Sequence, residues 1–137
     1  MSERPLPTVI GPTENALRSL LSHLLASTPI NGYDEWVALN YTASGQTTVI
    51  PTVASALKIE INAAEQILER LTTRGLIADL ALTPNGEAEL LHARSAVAAA
   101  TATLVEAIDE ADQHTTRVVL DTIRERAELA LTALDPE

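Results

Sequence analysis

Between Ala54 and Ile77, small and apolar residues recur at a spacing that few folds accommodate. Ala54, Leu57, Ile59, Ala64, Leu68, Leu71, Gly75, Leu76 and Ile77 fall at steps of 3, 2, 5, 4, 3, 4, 1 and 1. Steps of three and four keep side chains on one face of a helix, and the steps of two and five mark a tight turn between two helices. Ala54 and Ala64 are small where the helices cross, and the larger residues fill the core. The spacing predicts a helix-turn-helix whose second helix, about Asn62 to Arg74, turns a polar face outward. Gly75 ends that helix, as glycine does in the left-handed position beyond a last turn. Thr83 and Pro84 then form a cap and first-turn pair for the next helix.

The rest of the chain is also helical in pattern. Residues 1–12 carry three prolines and a Gly-Pro pair, and read as an extended arm. Thr13 is placed to cap a first helix with Leu17, Leu20, Leu21, Leu24 and Leu25 on one stripe, stopping near Ser27-Thr28-Pro29. Asn31-Gly32-Tyr33-Asp34 reads as a turn and cap for a second helix carrying Trp36, Val37, Leu39 and Asn40. Gln46–Val49 fits a short strand or a loop, and Thr52 a cap for a short helix through Leu57. The fifth helix lacks a breaker from Pro84 to about Ala111, or about 40 Å at 1.5 Å per residue. A sixth fits about His114 to Leu134, with Val119, Leu120, Ile123, Ala127, Ala130, Leu131 and Leu134 on its apolar side. Val97, Thr101, Leu104, Ile108 and Ala111 repeat at three- and four-residue steps and call for another surface, such as a second copy of the chain.

Composition narrows the classes. The 137 residues are 46% hydrophobic yet include no Phe and no Cys, one Trp and two Tyr. The core must be built from Leu, Ile, Val and Ala, which suits packed helices. Without cysteine there is no disulfide, thiolate metal site or cysteine nucleophile. No apolar leader or membrane-length stretch is evident, so the expectation is a soluble cytoplasmic protein that does not engage membranes. The net charge is −10, with balances of −2 over residues 1–52, −1 over 53–83 and −7 over 84–137. Acidity is concentrated in the last third, and the middle permits a polyanionic partner.

The spacing above, followed by "LTPNGEAEL" (82–90) and a long helix, resembles the winged-helix regulators of the multiple-antibiotic-resistance regulator (MarR) family. The "RGLI" (74–77) and "LTPNG" (82–86) landmarks carry the resemblance together, and the order of elements agrees over nearly the whole chain. It implies a mainly α fold: a winged helix-turn-helix, with N- and C-terminal helices forming a dimerisation layer. The divisions would be 1–30 for the arm and first dimerisation helix, 31–83 for the DNA-reading unit and 84–137 for a two-helix dimerisation region. It further implies a homodimer on a pseudo-palindromic duplex, with the fourth helix of each subunit in successive major grooves. Repression would be relieved by a small ligand bound between the reading and dimerisation parts. The family's wing usually carries basic residues and reaches the minor groove. Residues 78–81 hold Asp79 and neither Lys nor Arg, so the wing is expected to be reduced or absent.

Carried over by position, the groove-facing residues would be Asn62, Ala63, Glu65, Gln66 and Arg70, with Lys58 near phosphate. Asn and Gln bind adenine bidentately, and Glu accepts from cytosine N4. Lys58, Arg70 and Arg74 would neutralise phosphates. The same polar residues would also serve as the solvated face of an amphipathic helix, and Glu65 and Glu69 oppose a phosphate backbone. Tyr33, Trp36 and Tyr41 hold all the aromatic rings within nine positions, which fits core packing or a ligand pocket. His23, His92 and His114 lack the paired spacing of a helical metal site and read as surface residues. No phosphate loop or nucleophile elbow occurs, so neither an enzyme nor a cofactor is expected. Glu106, Asp109, Glu110 and Asp112 read as a solvated, fraying helix end. The leading reading is a sequence-specific, double-stranded-DNA-binding homodimeric regulator. The alternative is a dimer on the same scaffold that has lost DNA reading and serves protein interaction or small-ligand sensing.

Overall fold

The computed structural model describes residues 3–45 and 47–134. Its elements are α1 (Pro7–Leu25), α2 (Gly32–Ala43), α3 (Val49–Leu57), α4 (Ile61–Thr73), β1 (Ile77–Ala78), β2 (Ala81–Leu82), α5 (Pro84–Leu104) and α6 (Glu110–Leu134). They form two compact units, residues 1–100 and 101–137, divided within the last turns of α5. The mainly helical, winged-helix architecture expected from the sequence is present.

In the first unit α2, α3 and α4 pack on one another. The helix-turn-helix spacing translates directly into burial: Ala54, Ala64, Leu68, Leu71, Leu76 and Ile77 are all in the core, with Leu57 and Ile59 packed against it. Leu25 of α1 and Leu90 and Ala93 of α5 complete the cluster. The turn between α3 and α4 is Lys58-Ile59-Glu60. Lys58 takes the left-handed conformation (φ 58°, ψ 47°), and the Ile59 N–H closes the turn on the Ala54 carbonyl at 3.0 Å. A side chain in that conformation costs about 1–2 kcal/mol relative to glycine.

A short hairpin joins α4 to α5. β1 and β2 pair antiparallel, Ile77 opposite Leu82 and Ala78 opposite Ala81, joined by Asp79 and Leu80. Both loop residues have positive φ, 52° and 60°, as a two-residue primed turn demands. Each strand is two residues, about 7 Å long. Leu80 stands at the tip and is 44% exposed.

The two landmarks flanking the wing are one joint. Gly75 ends α4 at φ 78°. The Thr83 hydroxyl donates to the Gly75 carbonyl at 2.6 Å and accepts the Gly86 N–H at 2.9 Å, capping α5. The Thr83 N–H reaches the Leu76 carbonyl at 3.1 Å. A Cβ on Gly86 would lie 1.9 Å from the Leu76 carbonyl oxygen, so the backbones meet where only glycine fits.

Four boundaries differ from the sequence reading. α1 starts at Pro7, where a proline's missing N–H has no helical partner to lose. Much of the expected arm is therefore helix; Met1 and Ser2 of that arm lie outside the described residues. Thr13 does not cap, and its hydroxyl bonds the Val9 carbonyl at 2.7 Å within the helix. α3 begins at Val49 rather than near Thr52, and Gln46 of the expected strand or loop lies outside the described residues. α5 stops at Leu104 rather than Ala111, in a turn with Ala107 at φ 67° and the Gln113 side chain on the Ile108 carbonyl at 2.9 Å. α6 thus opens at Glu110, four residues before His114. Glu110 and Asp112 lie in its first turn, where acidic side chains favour the helix dipole instead of opposing it.

Gly86→Ala is expected to destabilise the protein by at least about 2 kcal/mol, because the crowding atom belongs to backbone. Urea unfolding measures this; an unchanged midpoint would mean that the joint yields.

Candidate nucleic-acid interface

α4 is amphipathic by design of its sequence. Ala64, Ile67, Leu68 and Leu71 are buried. Asn62, Glu65, Gln66, Glu69 and Arg70 are exposed, while Ala63 is half-buried. The residues expected to face a groove therefore share one helix and its flank, and Lys58 stands at the turn leading into it. The Lys58 ammonium rests on the Ser55 carbonyl at 2.9 Å. The acids Glu65 and Glu69 are on the same exposed side, one turn apart.

Arg70 and Arg74 lie one turn apart on the flank of α4 that meets α2. Both reach Glu35, an α2 residue with 1% exposure. The Arg70 Nε–H donates to Glu35 Oε2 at 3.1 Å. Arg74 donates one terminal nitrogen to Glu35 Oε1 and the other to Oε2 at 2.9 Å, and also reaches the Pro29 carbonyl at 3.1 Å. The Asn31 N–H completes the set on Oε1 at 2.7 Å. Burial pushes the Glu35 carboxyl up, but the bonds from Arg74, Asn31 and Arg70 outweigh it and hold the group below the usual carboxylate range. The same bond to Glu35 raises the Arg74 guanidinium. Arg74, expected from the sequence to face phosphate, has a side chain 27% exposed and spends three of its N–H donors on Glu35 and the Pro29 carbonyl. Arg70 keeps 49% exposure, and its two terminal amino groups have no partner among the described residues.

The aromatic trio converges on a cleft. Tyr33, Trp36, Val37, Asn40, Tyr41 and Ser44 of α2 and the adjoining turn, with Ala56 of α3, line a cavity of about 510 Å³. Residues 35, 38, 39 and 42 of α2 are buried, so the helix has one face for the core and one for the cleft. Two of the lining residues, Tyr33 and Asn40, are each in contact with a guanidinium group. Arg18 of α1 stacks 4.2 Å from the Tyr33 ring centroid, and Arg94 of α5 donates to Asn40 Oδ1 at 2.8 Å. The sequence reading found the rings but missed Glu35, Arg18, Asn40 and Arg94. Nothing local in the sequence marks an acid in a helical first turn as buried; only the distant arginines do. His23, His92 and His114 are all exposed, and no group of metal-ligating side chains converges among the described residues. Among those residues no helix is long and apolar enough to cross a membrane.

No model of a known protein family matches the sequence, and no curated protein is significantly similar to it. Solved structures are. The chain is similar to the Mycobacterium tuberculosis MarR family protein Rv2887 in complex with DNA, at 21% identity and a TM-score of 0.72, over 88% of this chain and 98% of that one. The same protein in complex with salicylic acid gives 21% identity and a TM-score of 0.69 over the same shares. A MarR-family transcriptional regulator from Rhodococcus sp. RHA1 gives 19% identity and a TM-score of 0.75, over 89% of this chain and 96% of that one. The chain thus has the fold of MarR-family transcriptional regulators; these neighbours are regulators rather than enzymes.

Glu35→Gln is expected to destabilise the protein at neutral pH by about 1.5–3 kcal/mol, the loss of charge-assisted bonds at a buried acceptor. Because the folded carboxyl titrates below its unfolded value, its contribution is full above the ordinary carboxylate range and disappears as pH falls through and below it. The stability gap between wild type and variant should therefore close on acidification in parallel urea titrations. A gap independent of pH would contradict the assignment.

Proposed function

We propose that this chain is a MarR-type transcriptional regulator that reads duplex DNA as a homodimer, through the exposed side of α4. The observation that carries the reading is the intact helix-turn-helix, with Asn62, Gln66 and Arg70 exposed on α4 and a lysine held at the strained left-handed turn before it. A glycine would be unstrained at position 58, so the lysine side chain is kept against a backbone cost. The fold shared with a DNA-bound neighbour supports the same reading. Lys58 and Arg70 contact phosphate and groove edge, Asn62 and Gln66 contact bases, and Arg74 braces the helix.

The dimer partner is a second copy. α6 buries none of its 25 residues, and on its apolar side Val119, Leu120, Leu131 and Leu134 are exposed. A monomer does not keep such a stripe in water. The effector is a small aromatic anion in the α2 cleft, where Tyr33, Trp36 and Tyr41 supply ring faces and Arg18 and Arg94 supply positive charge. The salicylate complex of a structural neighbour fits that chemistry. DNA would be bound in the cytoplasm.

The test is selection of a duplex from a random pool, followed by fluorescence anisotropy against a scrambled control across a salt series. Lys58 and Arg70 from two subunits neutralise about four phosphates, so the log–log salt slope should be about −3.6. This is shallower than the value of about −5.4 that six phosphates would give, because Arg74 is engaged by Glu35. No enrichment, or a slope near zero, would leave the alternative: a winged-helix dimer that senses a ligand or partner without reading DNA.

A further inference from the structure

We infer that Glu35 is the positioning residue for Arg70 in DNA recognition: it grips the guanidinium by one edge and presents the other to the duplex. The inference rests on the DNA-reading function proposed above and goes beyond it to a residue that never touches DNA.

The geometry is specific. A guanidinium has a fork of five N–H donors in one plane. Of the Arg70 donors only the Nε–H reaches Glu35, at 3.1 Å to Oε2. The two terminal amino groups are left on the exposed side, and they are the pair that meets a phosphate or guanine O6 and N7 bidentately. A free arginine on a helix surface samples many rotamers and must be ordered on binding. Here the ordering is done beforehand by a carboxylate that is itself immobile, with 1% exposure, two bonds from Arg74 and one from the Asn31 N–H. Arg74 plays the complementary part. By satisfying both oxygens of Glu35 it keeps the carboxylate ionised and fixed, so that Arg70 needs to give up only its inner edge. One buried acid thus separates two arginines a turn apart into a brace and a reader.

The experiment is a double-mutant cycle in the full-length protein, with affinity for the pool-selected duplex as the readout and circular dichroism and dimer mass as folding controls. R70A should weaken binding about tenfold, E35Q about fivefold in the wild-type background and less than about 1.5-fold in the R70A background, since the acid acts through the arginine. A merely structural Glu35 would lose the same factor in both backgrounds, and that result overturns the inference while leaving DNA reading intact. Should E35Q not fold, E35D enters the same cycle; it keeps the charge and shortens the reach. Wild-type protein that enriches no duplex would overturn the DNA reading, and the inference with it.

Discussion

A carboxylate with almost no access to water ties α2 to the end of α4. Glu35 sits at the start of α2, and three groups donate to it: the Asn31 backbone N–H, Arg70 on α4 and Arg74 at the end of that helix. Leaving such a charge buried without its partners costs about 3–5 kcal/mol. The orientation of α4 against α2 is therefore fixed by more than apolar packing, which would tolerate sliding. The pairing also decides what α4 can offer outward. It engages Arg74 on its inner side and leaves part of Arg70 exposed beside the exposed acids Glu65 and Glu69.

The same helix that carries Glu35 lines the cleft. Glu35 and Trp36 are consecutive and point to different surroundings, one to the arginines of α4, the other to the cavity with Tyr33 and Tyr41. Under the proposed function, an occupant of the cleft and a duplex on α4 would act on one short helix from opposite sides. Coupling between them needs no long path, because a displacement of α2 moves the acceptor of both arginines.

Much of this was legible before any coordinates. The step pattern from Ala54 to Ile77 described two crossing helices because small and large residues alternate where burial demands it. Gly75, Thr83, Pro84 and Gly86 marked the wing's ends because each has a conformational or steric reason to be there. Helix boundaries were harder. Pro7 and Pro12 read as breakers, yet the first stands at a position where a helix accepts proline. The run of acids at 106–112 read as an end when it contains a beginning, since Glu and Asp favour one terminus and disfavour the other. Glu35 was invisible, because burial of a charge depends on partners 35 and 39 positions away. For the same reason the pairing of Arg74 with Glu35 was not legible.

The hairpin of Ile77–Leu82 gives the account its sharpest consequence. Two residues per strand and a tip of Asp79 and Leu80 offer neither length nor positive charge for a minor groove, so under the proposed function recognition comes from the major groove alone. Dimethyl sulfate probing of the selected duplex tests this in one measurement, since it methylates guanine N7 in the major groove and adenine N3 in the minor groove. The account predicts guanine N7 protection in two successive major grooves about one helical turn apart, with adenine N3 in the flanking minor grooves left reactive. Protection of the flanking adenines without protection of the guanines would contradict it.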